Sequence, residues 1–400
     1  MEFKSSYLLK NVKLIGFAAG EKLPEGQCHI GVDSSGKINY IGQKESKESY
    51  AREINLDGAY LSPGWIDLHT HIYPGATNLG LEPDRIGPIT GVLLNVDAGS
   101  AGEANFSGFR KFIVDNFDYP LRAYLNIAST GIVAAGQISE LQDISNIDIN
   151  KTLECIAQNR DLIKGVKMRT SSSIVGVWGL TALKLARKIS CLADLPLVVH
   201  VGEPPVFLSD IVEILAPGDM ITHCFNGKRG VNLKEEKEVL QLFRQAQKKG
   251  ILLDVGHGGA SYSQPVARKA YEEHLFPFSI SSDLHRFNFR GPAWDLPTIM
   301  SKVMAAGFSL KEIIEKVTVN PAHFLELEGW SSLKKDHQAC FTVFNVQEGI
   351  FPMEDSAALK EVTTADKNER NQFALQELIV PRISCYGNKV VQAENNYGKN

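Results

Sequence analysis

Between residues 60 and 330, short apolar runs typical of β-strands alternate with longer segments typical of helices. Eight such runs occur, ending near His71, Ala98, Ala128, Arg169, His200, His223, His257 and Asp283. The clearest helical segments are 181–193 and 234–249, and a further helix begins at 310–317, after the eighth run. Eight strand–helix repeats in about 270 residues predict an α/β fold, the (β/α)8 TIM barrel, whose strands form one parallel sheet.

The two ends of the chain have a different pattern. Residues 1–60 contain short alternating strands, and Asp-Ser-Ser-Gly at 33–36 predicts a β-hairpin between two of them. Strand-like runs return after residue 330, while residues 352–377 have a helix-forming composition. We therefore predict that 1–60 and 331–400 are the two halves of a small composite β-sandwich, with the barrel of 61–330 inserted between them.

Composition narrows the class of protein. Apolar residues make up 44%, enough for a large core, and the net charge of −4 without a basic stripe argues against nucleic-acid or membrane partners. No apolar run approaches the roughly 20 residues of a membrane span, and the N-terminus does not resemble a signal peptide. The six scattered cysteines are expected to be free thiols. We expect a cytoplasmic protein with a small-molecule substrate; a homo-oligomer stays open.

The first barrel run ends in two histidines separated by one residue, His69 and His71. Side chains at positions i and i+2 of a strand point to the same face, so the two imidazoles project together. Neutral imidazoles are common zinc ligands, and two on one face form half a site. By itself the pair is equally compatible with a hydrogen-bonded structural role, so further ligands at other strand ends have to decide.

Further polar side chains stand at other strand ends: Lys167, His200, His223 and Asp283. The carboxyl ends of barrel strands meet at one face, where barrel enzymes place their chemistry. Four imidazoles and a carboxylate bind a divalent cation well. A buried lysine tends to lose its proton, and the neutral amine can then add carbon dioxide to give a carbamate that bridges two metals. The alternative for Lys167 is a structural ion pair.

These motifs resemble those of the amidohydrolase superfamily. The segment PGWIDLHTH at 63–71 resembles its strand-one motif, and GVKMR at 165–169 resembles the carboxylated-lysine strand of its binuclear members. The segments VDAGSAG at 96–102, DVGHGG at 254–259 and TVNPA at 318–322 resemble the dihydroorotase-related amidohydrolase/deacetylase group. The resemblance implies two divalent ions, zinc by default, a carboxylated Lys167, and hydrolysis of a small acylated acid.

The resulting hypothesis assigns a role to each strand-end residue. One ion is held by His69, His71 and Asp283, the second by His200 and His223, and the Lys167 carbamate and a hydroxide bridge the two. The hydroxide attacks an amide or ester carbonyl, with Asp283 as general base and then general acid.

Two further residues are candidates for substrate binding. Arg169 lies two residues beyond Lys167 and could grip a substrate carboxylate or form an ion pair at the barrel rim. His257, between glycines, could reach substrate or be a structural histidine with satisfied ring nitrogens.

Other functions remain as alternatives. Mononuclear purine or pyrimidine deaminases of the same superfamily use a His-x-x-Glu in strand five, and His200 with Glu203 has this spacing. A single-metal site does not need Lys167, so counting the metals per chain separates the two. A dihydroorotase-like cyclic amidohydrolase is a third possibility. A non-enzymatic scaffold is disfavoured because all six ligand positions are filled.

Overall fold

The computed structural model describes residues 2–18, 20, 23–358 and 370–399 and shows two β-sheets with surrounding helices. The strands are β1 (Glu2–Lys4), β2 (Tyr7–Leu14), β3 (Gln27–Val32), β4 (Ile38–Gly42), β5 (Arg52–Asn55), β6 (Tyr60–Pro63), β7 (Trp65–Thr70), β8 (Val92–Ala98), β9 (Leu121–Asn126), β10 (Ile163–Arg169), β11 (Leu197–His200), β12 (Met220–Thr222), β13 (Leu252–Asp254), β14 (Cys340–Ala358), β15 (Arg370–Tyr386) and β16 (Lys389–Gln392). The helices are α1 (Phe106–Phe112), α2 (Ile149–Gln158), α3 (Ser172–Val175), α4 (Gly179–Ala193), α5 (Leu208–Ile214), α6 (Lys237–Lys248), α7 (Gln264–Glu272), α8 (Leu296–Met304), α9 (Leu310–Val317) and α10 (Val319–Phe324). Short 3-10 helices span Pro83–Arg85, Pro88–Thr90, Val114–Asn116, Ile144–Asn146 and Gly176–Trp178.

The strands β7 to β13 form a curled parallel sheet in which neighbours in sequence are neighbours in space. Residues 278–284, here called the eighth run, complete the circle through single parallel bridges, Asp254 to Ser279 and Thr70 to Leu284. The eighth run is not a regular strand, partly because the backbone N–H of Ser282 donates to the Asp67 carboxylate instead of to a neighbouring strand. The predicted barrel fold is confirmed.

The outer helices follow the predicted segments. Helix α4 buries Ala182, Ala186, Ile189 and Ala193, a spacing of three to four residues that places them on one face. Helix α9 starts with a capping box between Ser309 and Glu312. None of the helices within the described ranges has both the length and the hydropathy that a membrane span requires.

Helix α10 closes the barrel at the end where the strands begin. The Asn320 side chain donates to the carbonyl of Phe278 at the start of the eighth run, 2.7 Å away. Ala322 and Leu325 join a buried cluster with Ile66, Val198 and Met220 of the barrel strands. This end is filled by apolar side chains, and the polar strand ends lie at the opposite, carboxyl-terminal face.

Strands from both ends of the chain share the second sheet, which has the order β1-β16-β15-β14-β6-β2-β3-β4, with β5 also paired to β2. The hairpin predicted at 33–36 is present between β3 and β4, which pair antiparallel. Strand β6 pairs with β14 in this sheet and leads directly into β7 of the barrel. The limits at residues 60 and 330 stay predictions.

The strands β14 and β15 form an antiparallel pair, here called the long hairpin, that runs past the sheet toward the barrel. The helix expected over 352–377 is wrong for residues 352–358 and 370–377, which lie in strands; residues 359–369 lie outside the described residues. Met353, Leu375 and Leu378 are buried together against Ala305. Burial of these cross-strand neighbours outweighs the helical preference of the charged residues around them.

Candidate metal centre

Six side chains at the carboxyl ends of the barrel strands converge. They come from β7 and the residue after it, from β10 and β11, from the residue after β12 and from the eighth run: His69, His71, Lys167, His200, His223 and Asp283. Nζ of Lys167 lies 3.1 Å from Nε2 of His69, and Oδ1 of Asp283 lies 3.1 Å from Nε2 of His71. The ring centroids of His200 and His223 are 4.3 Å apart. The structure therefore brings together all the residues that the strand-end pattern selected.

The donor set of this cluster fits a divalent metal ion. One ligand atom each from His69, His223 and Asp283 lie within 4.8 Å of one another. Nε2 of His223 is buried without a hydrogen-bond partner among the described residues. Buried polar atoms are normally satisfied, so an unused imidazole lone pair facing a carboxylate and other imidazoles is what a metal-ligating nitrogen requires.

Hydrogen bonds behind the cluster set the orientation of His69. Its Nδ1 lies 3.1 Å from the Thr222 hydroxyl, which donates its only hydrogen to Asp254 at 2.7 Å. The hydroxyl must therefore accept from Nδ1–H, and Nε2 of His69 is left unprotonated toward the cluster. Asp254 is held by two further donors, Ser279 and Ser281. Such outer partners fix the tautomer of a ligating histidine.

We expect Thr222→Val to weaken metal binding by about 10- to 100-fold, because His69 loses the acceptor that orients it. Titration of metal-stripped protein with zinc against a competing chelator measures the change. Thr152→Val, which removes an equally buried hydroxyl from α2, is the matched control and should leave zinc affinity unchanged. Equal effects of the two variants would contradict the role given to Thr222.

The rings of His71 and His223 are also held through Nδ1, whereas Nε2 of His200 lies 3.3 Å from the Ser171 hydroxyl. Nδ1 of His71 lies 3.0 Å from the Ser100 hydroxyl, and the backbone N–H of Ser100 donates to Asp97. Nδ1 of His223 donates to the carbonyl of Gly256 at 2.5 Å, which turns Nε2 into the cluster. Ser100 and Gly256 were not singled out from the sequence, although they lie within the segments 96–102 and 254–259.

Burial controls the charge of the cluster. Desolvation holds the pKa of His69 and His200 well below the ordinary value and lowers the pKa of His223 to about 4, so these imidazoles are neutral at pH 7. Burial acts to raise the pKa of Asp283, but the nearby His69, His71 and His223 hold that pKa well below its ordinary value. Neutral imidazoles around an ionised carboxylate are the protonation states that metal binding needs.

Two members of the cluster have a backbone conformation that non-glycine residues rarely adopt. The φ angle is 75° at His223 and 50° at Asp283, in the left-handed region. Such strain persists only where the surrounding structure enforces it, and it concentrates at functional sites.

Lys167 is fully buried, and desolvation lowers the pKa of its amine to about 8. Its stem packs against Gly99, where a Cβ atom would lie 2.7 Å from Cγ of Lys167. The φ angle of Gly99 is +83°, so a side chain there would also strain the backbone. Glycine at this position lets the lysine reach the centre of the cluster.

Gly99→Ala should therefore destabilise the protein by about 1–3 kcal/mol more than Gly136→Ala, through crowding of Lys167. Gly136 has a similar φ of +78°, and a Cβ atom there would have no neighbouring atom within 4 Å, so this control isolates the backbone strain. The shift of the urea unfolding midpoint measures both. Identical shifts would show that the space beside Lys167 is not critical.

The two predicted substrate-binding residues have partners within the protein. Nε of Arg169 donates to Glu140 at 2.7 Å and Nη2 donates to the second oxygen of the same carboxylate. The alternative of an ion pair at the barrel rim is thus what the structure shows. Both ring nitrogens of His257 have bonds within the protein: Nδ1 lies 2.9 Å from the carbonyl of Gly258, and Nε2 lies 3.1 Å from Nζ of Lys302. Substrate contacts for Arg169 and His257 stay predictions.

Glu203, the residue of the deaminase alternative, lies in the loop after β11 and forms an ion pair with Lys228 at 2.8 Å. Although burial acts to raise the pKa of Glu203, its bond to Lys228 holds this pKa below the ordinary value. The Glu203 carboxylate is therefore engaged by a lysine in the loop after β12 and not by a member of the cluster.

The chain was compared with known proteins. No family model matches it. It is 43% identical over 386 residues to a protein named Deacetylase Atu3266 from Agrobacterium fabrum, covering 96% of this chain and 91% of the relative. A solved structure described as a dihydroorotase is 40% identical and superposes with a TM-score of 0.90 over 98% of each chain. Another, described as an adenine deaminase, is 29% identical with a TM-score of 0.84, over 97% of this chain and 100% of that one. With this similarity over nearly its whole length and the strand-end cluster in place, the chain belongs to the amidohydrolase superfamily.

Proposed function

We propose that the chain is a metal-dependent hydrolase that removes an acyl group, such as acetyl, from a small carboxylate-bearing substrate. The observation that carries the proposal is the convergence of four imidazoles, Lys167 and Asp283 at one face of the barrel, with Lys167 Nζ 3.1 Å from His69 Nε2. The relatives named deacetylases support the type of bond that is cleaved.

Two divalent ions, zinc by default, would be held by the cluster. His69, His71 and Asp283 would bind one ion, and His200 and His223 the other. When bound, such ions lower the pKa of a water molecule toward neutrality and polarise the substrate carbonyl. The histidine-rich set suits zinc, while manganese, cobalt and iron are alternatives that metal analysis distinguishes.

Lys167 would act as a carbamate. As an ammonium group it would place a positive charge among the imidazoles, where two cations are to bind. The neutral Nζ can instead form a bond to the carbon of carbon dioxide and release a proton, which converts the side chain into an anion with two oxygen atoms. An anion at this position would offset part of the charge of two bound cations.

Asp283 would move the proton of the reaction. Its Oδ1 lies 3.1 Å from His71 Nε2 and 3.4 Å from His69 Nε2, at the centre of the cluster. The carboxylate is charged at neutral pH, and its place among the ligands would put it beside the attacking water, from which it would accept a proton. Delivery of that proton to the departing nitrogen or oxygen completes the hydrolysis.

A deaminase is the second candidate, because a structure described as an adenine deaminase covers nearly the whole chain. The pairing of Glu203 with Lys228 and the central position of Lys167 count against it. A dihydroorotase-like activity uses the same cluster and differs only in the substrate.

The test is a substrate screen with metal-loaded protein and a metal count on the same sample. N-acyl amino acids, acetylated hydroxy acids, dihydroorotate and adenine are offered in parallel. We expect two ions per chain and turnover of an acylated acid. Turnover of adenine alone, or a single ion per chain with full activity, would overturn the proposal.

A further inference from the structure

The turn after β13 contacts two members of the metal cluster through its glycines. The carbonyl of Gly256 accepts the hydrogen bond from Nδ1 of His223 at 2.5 Å. A Cβ atom on Gly258 would lie 2.6 Å from Oδ2 of Asp283, so the backbone of Gly258 packs directly against that carboxylate. The position of this turn, residues 256–258, therefore sets the rotation of the His223 ring. It also restricts movement of the Asp283 carboxylate on the side that faces Gly258.

The side chain between the two glycines engages Lys302. Nδ1 of His257 bonds to the carbonyl of Gly258, which can only accept, so Nδ1 carries the hydrogen and Nε2 carries the lone pair. Nζ of Lys302 donates to this lone pair at 3.1 Å. The His257 ring also stacks on Tyr262, with centroids 4.7 Å apart and planes 19° apart.

Lys302 joins three parts of the structure at a fully buried amine. Besides His257 it donates to the carbonyl of Pro292 at 2.7 Å and to the carbonyl of Glu354, in the long hairpin, at 2.8 Å. An ammonium group has three N–H donors, and each has an acceptor here. The three acceptors therefore account for the three N–H groups of the amine.

The long hairpin holds the same turn from a second direction. The Ser356 hydroxyl donates to the carbonyl of His257 at 3.0 Å and accepts from the backbone N–H of Tyr262 at 2.7 Å. The neighbouring Asp355 accepts from the backbone N–H of Gln264 at 2.8 Å. The turn is thus tied to α8 through Lys302 and to the second sheet through the hairpin.

We propose that Lys302 is a positioning residue for the metal centre: with His257 it fixes the turn 256–258 and thereby the orientation of His223 and Asp283. The inference rests on the proposed metal-dependent hydrolase and adds two residues that act on the metal centre through the turn. Removing the amine takes one donor from each of three acceptors, one of which is the His257 ring in the turn. Loss of outer partners of this kind weakens metal binding by about 10- to 100-fold.

Two variants test the proposal: Lys302→Met keeps the stem and removes the donors, and His257→Phe keeps the ring stack and removes the acceptor. Zinc affinity is measured by chelator competition, and hydrogen exchange is measured at the backbone N–H groups of residues 257 and 258. We expect each variant to bind zinc about 10- to 100-fold more weakly and to exchange faster at the turn. On an acylated substrate, kcat should fall with little change in KM.

The double variant distinguishes positioning from general destabilisation. If Lys302 acts through His257, the two residues form one unit. The double variant should then bind zinc no more weakly than the single variant that has the lower zinc affinity. Lys316→Met, which removes another buried lysine, in α9, should lower thermal stability only. Multiplying effects in the double variant, or zinc affinity within about twofold of wild type in both folded single variants, would overturn the proposal. The exchange measurement needs neither metal nor substrate, so it stands even if the proposed hydrolase activity fails.

Discussion

Replacing Lys167 with alanine is expected to lower kcat on an acylated acid by about a thousandfold and to reduce the bound metal from about two ions per chain to one or fewer. The reason is the central position of this amine, fully buried and 3.1 Å from Nε2 of His69. Without its carbamate, Asp283 would be the one anionic side chain among the six to offset the charge of two cations. Steady-state kinetics and metal analysis of the same preparation measure both effects.

Two comparisons make the result specific. Lys164→Ala, in the same strand but partly exposed, should retain activity and metal. Formate or propionate added to Lys167→Ala should restore part of the activity, because a small carboxylate can enter the space that the carbamate left. A Lys167→Ala protein that still holds two ions and turns over at the normal rate would exclude the carbamate.

Asp283→Asn is expected to reduce kcat by about 10²- to 10⁴-fold with a smaller change in KM, because the amide cannot accept the proton. Asparagine is one of the few residues that tolerates the left-handed conformation, so the φ of 50° at this position is not the cause of the loss. The backbone of Gly258 packs against the position of Asp283 Oδ2. The asparagine side chain should therefore keep the orientation of the aspartate.

A matched control is Asp336→Asn, at an exposed aspartate with φ of 67°, which should leave kcat unchanged. The metal content of each variant must be measured together with kcat and KM. Loss of a metal ligand alone would lower the metal content and so lower kcat. If Asp283→Asn retains wild-type kcat when fully loaded with zinc, another group moves the proton and the role of Asp283 is only to bind metal.

Much of the fold follows from local patterns. Apolar runs of strand length alternate with helical segments, and α4, α6 and α9 lie within two or three residues of where the periodicity predicts them. The polar residues at strand ends could be selected because a barrel, once inferred, brings every carboxyl strand end to one face. No distance was needed for that selection, only the position of each residue in its run.

Errors arose where tertiary contacts override local preference. Residues 352–358 and 370–377 have a helical composition, yet they form strands because Met353 and Leu375 are buried between the hairpin and the barrel. Glu140 was not connected with Arg169 from the sequence, because the two residues are 29 positions apart and meet only when the loop after β9 folds back.

The sequence by itself determined which residues of metal-ligating type stand together at one face of the fold, because strand periodicity and chain order suffice for that. Only the tertiary structure decided how these side chains are oriented: Thr222 behind His69, Gly256 beside His223, and Lys302 bonded to His257. The physical reason is that hydrogen bonds between residues distant in sequence have geometric requirements of tenths of an ångström. Local patterns carry no such information, and folding supplies it.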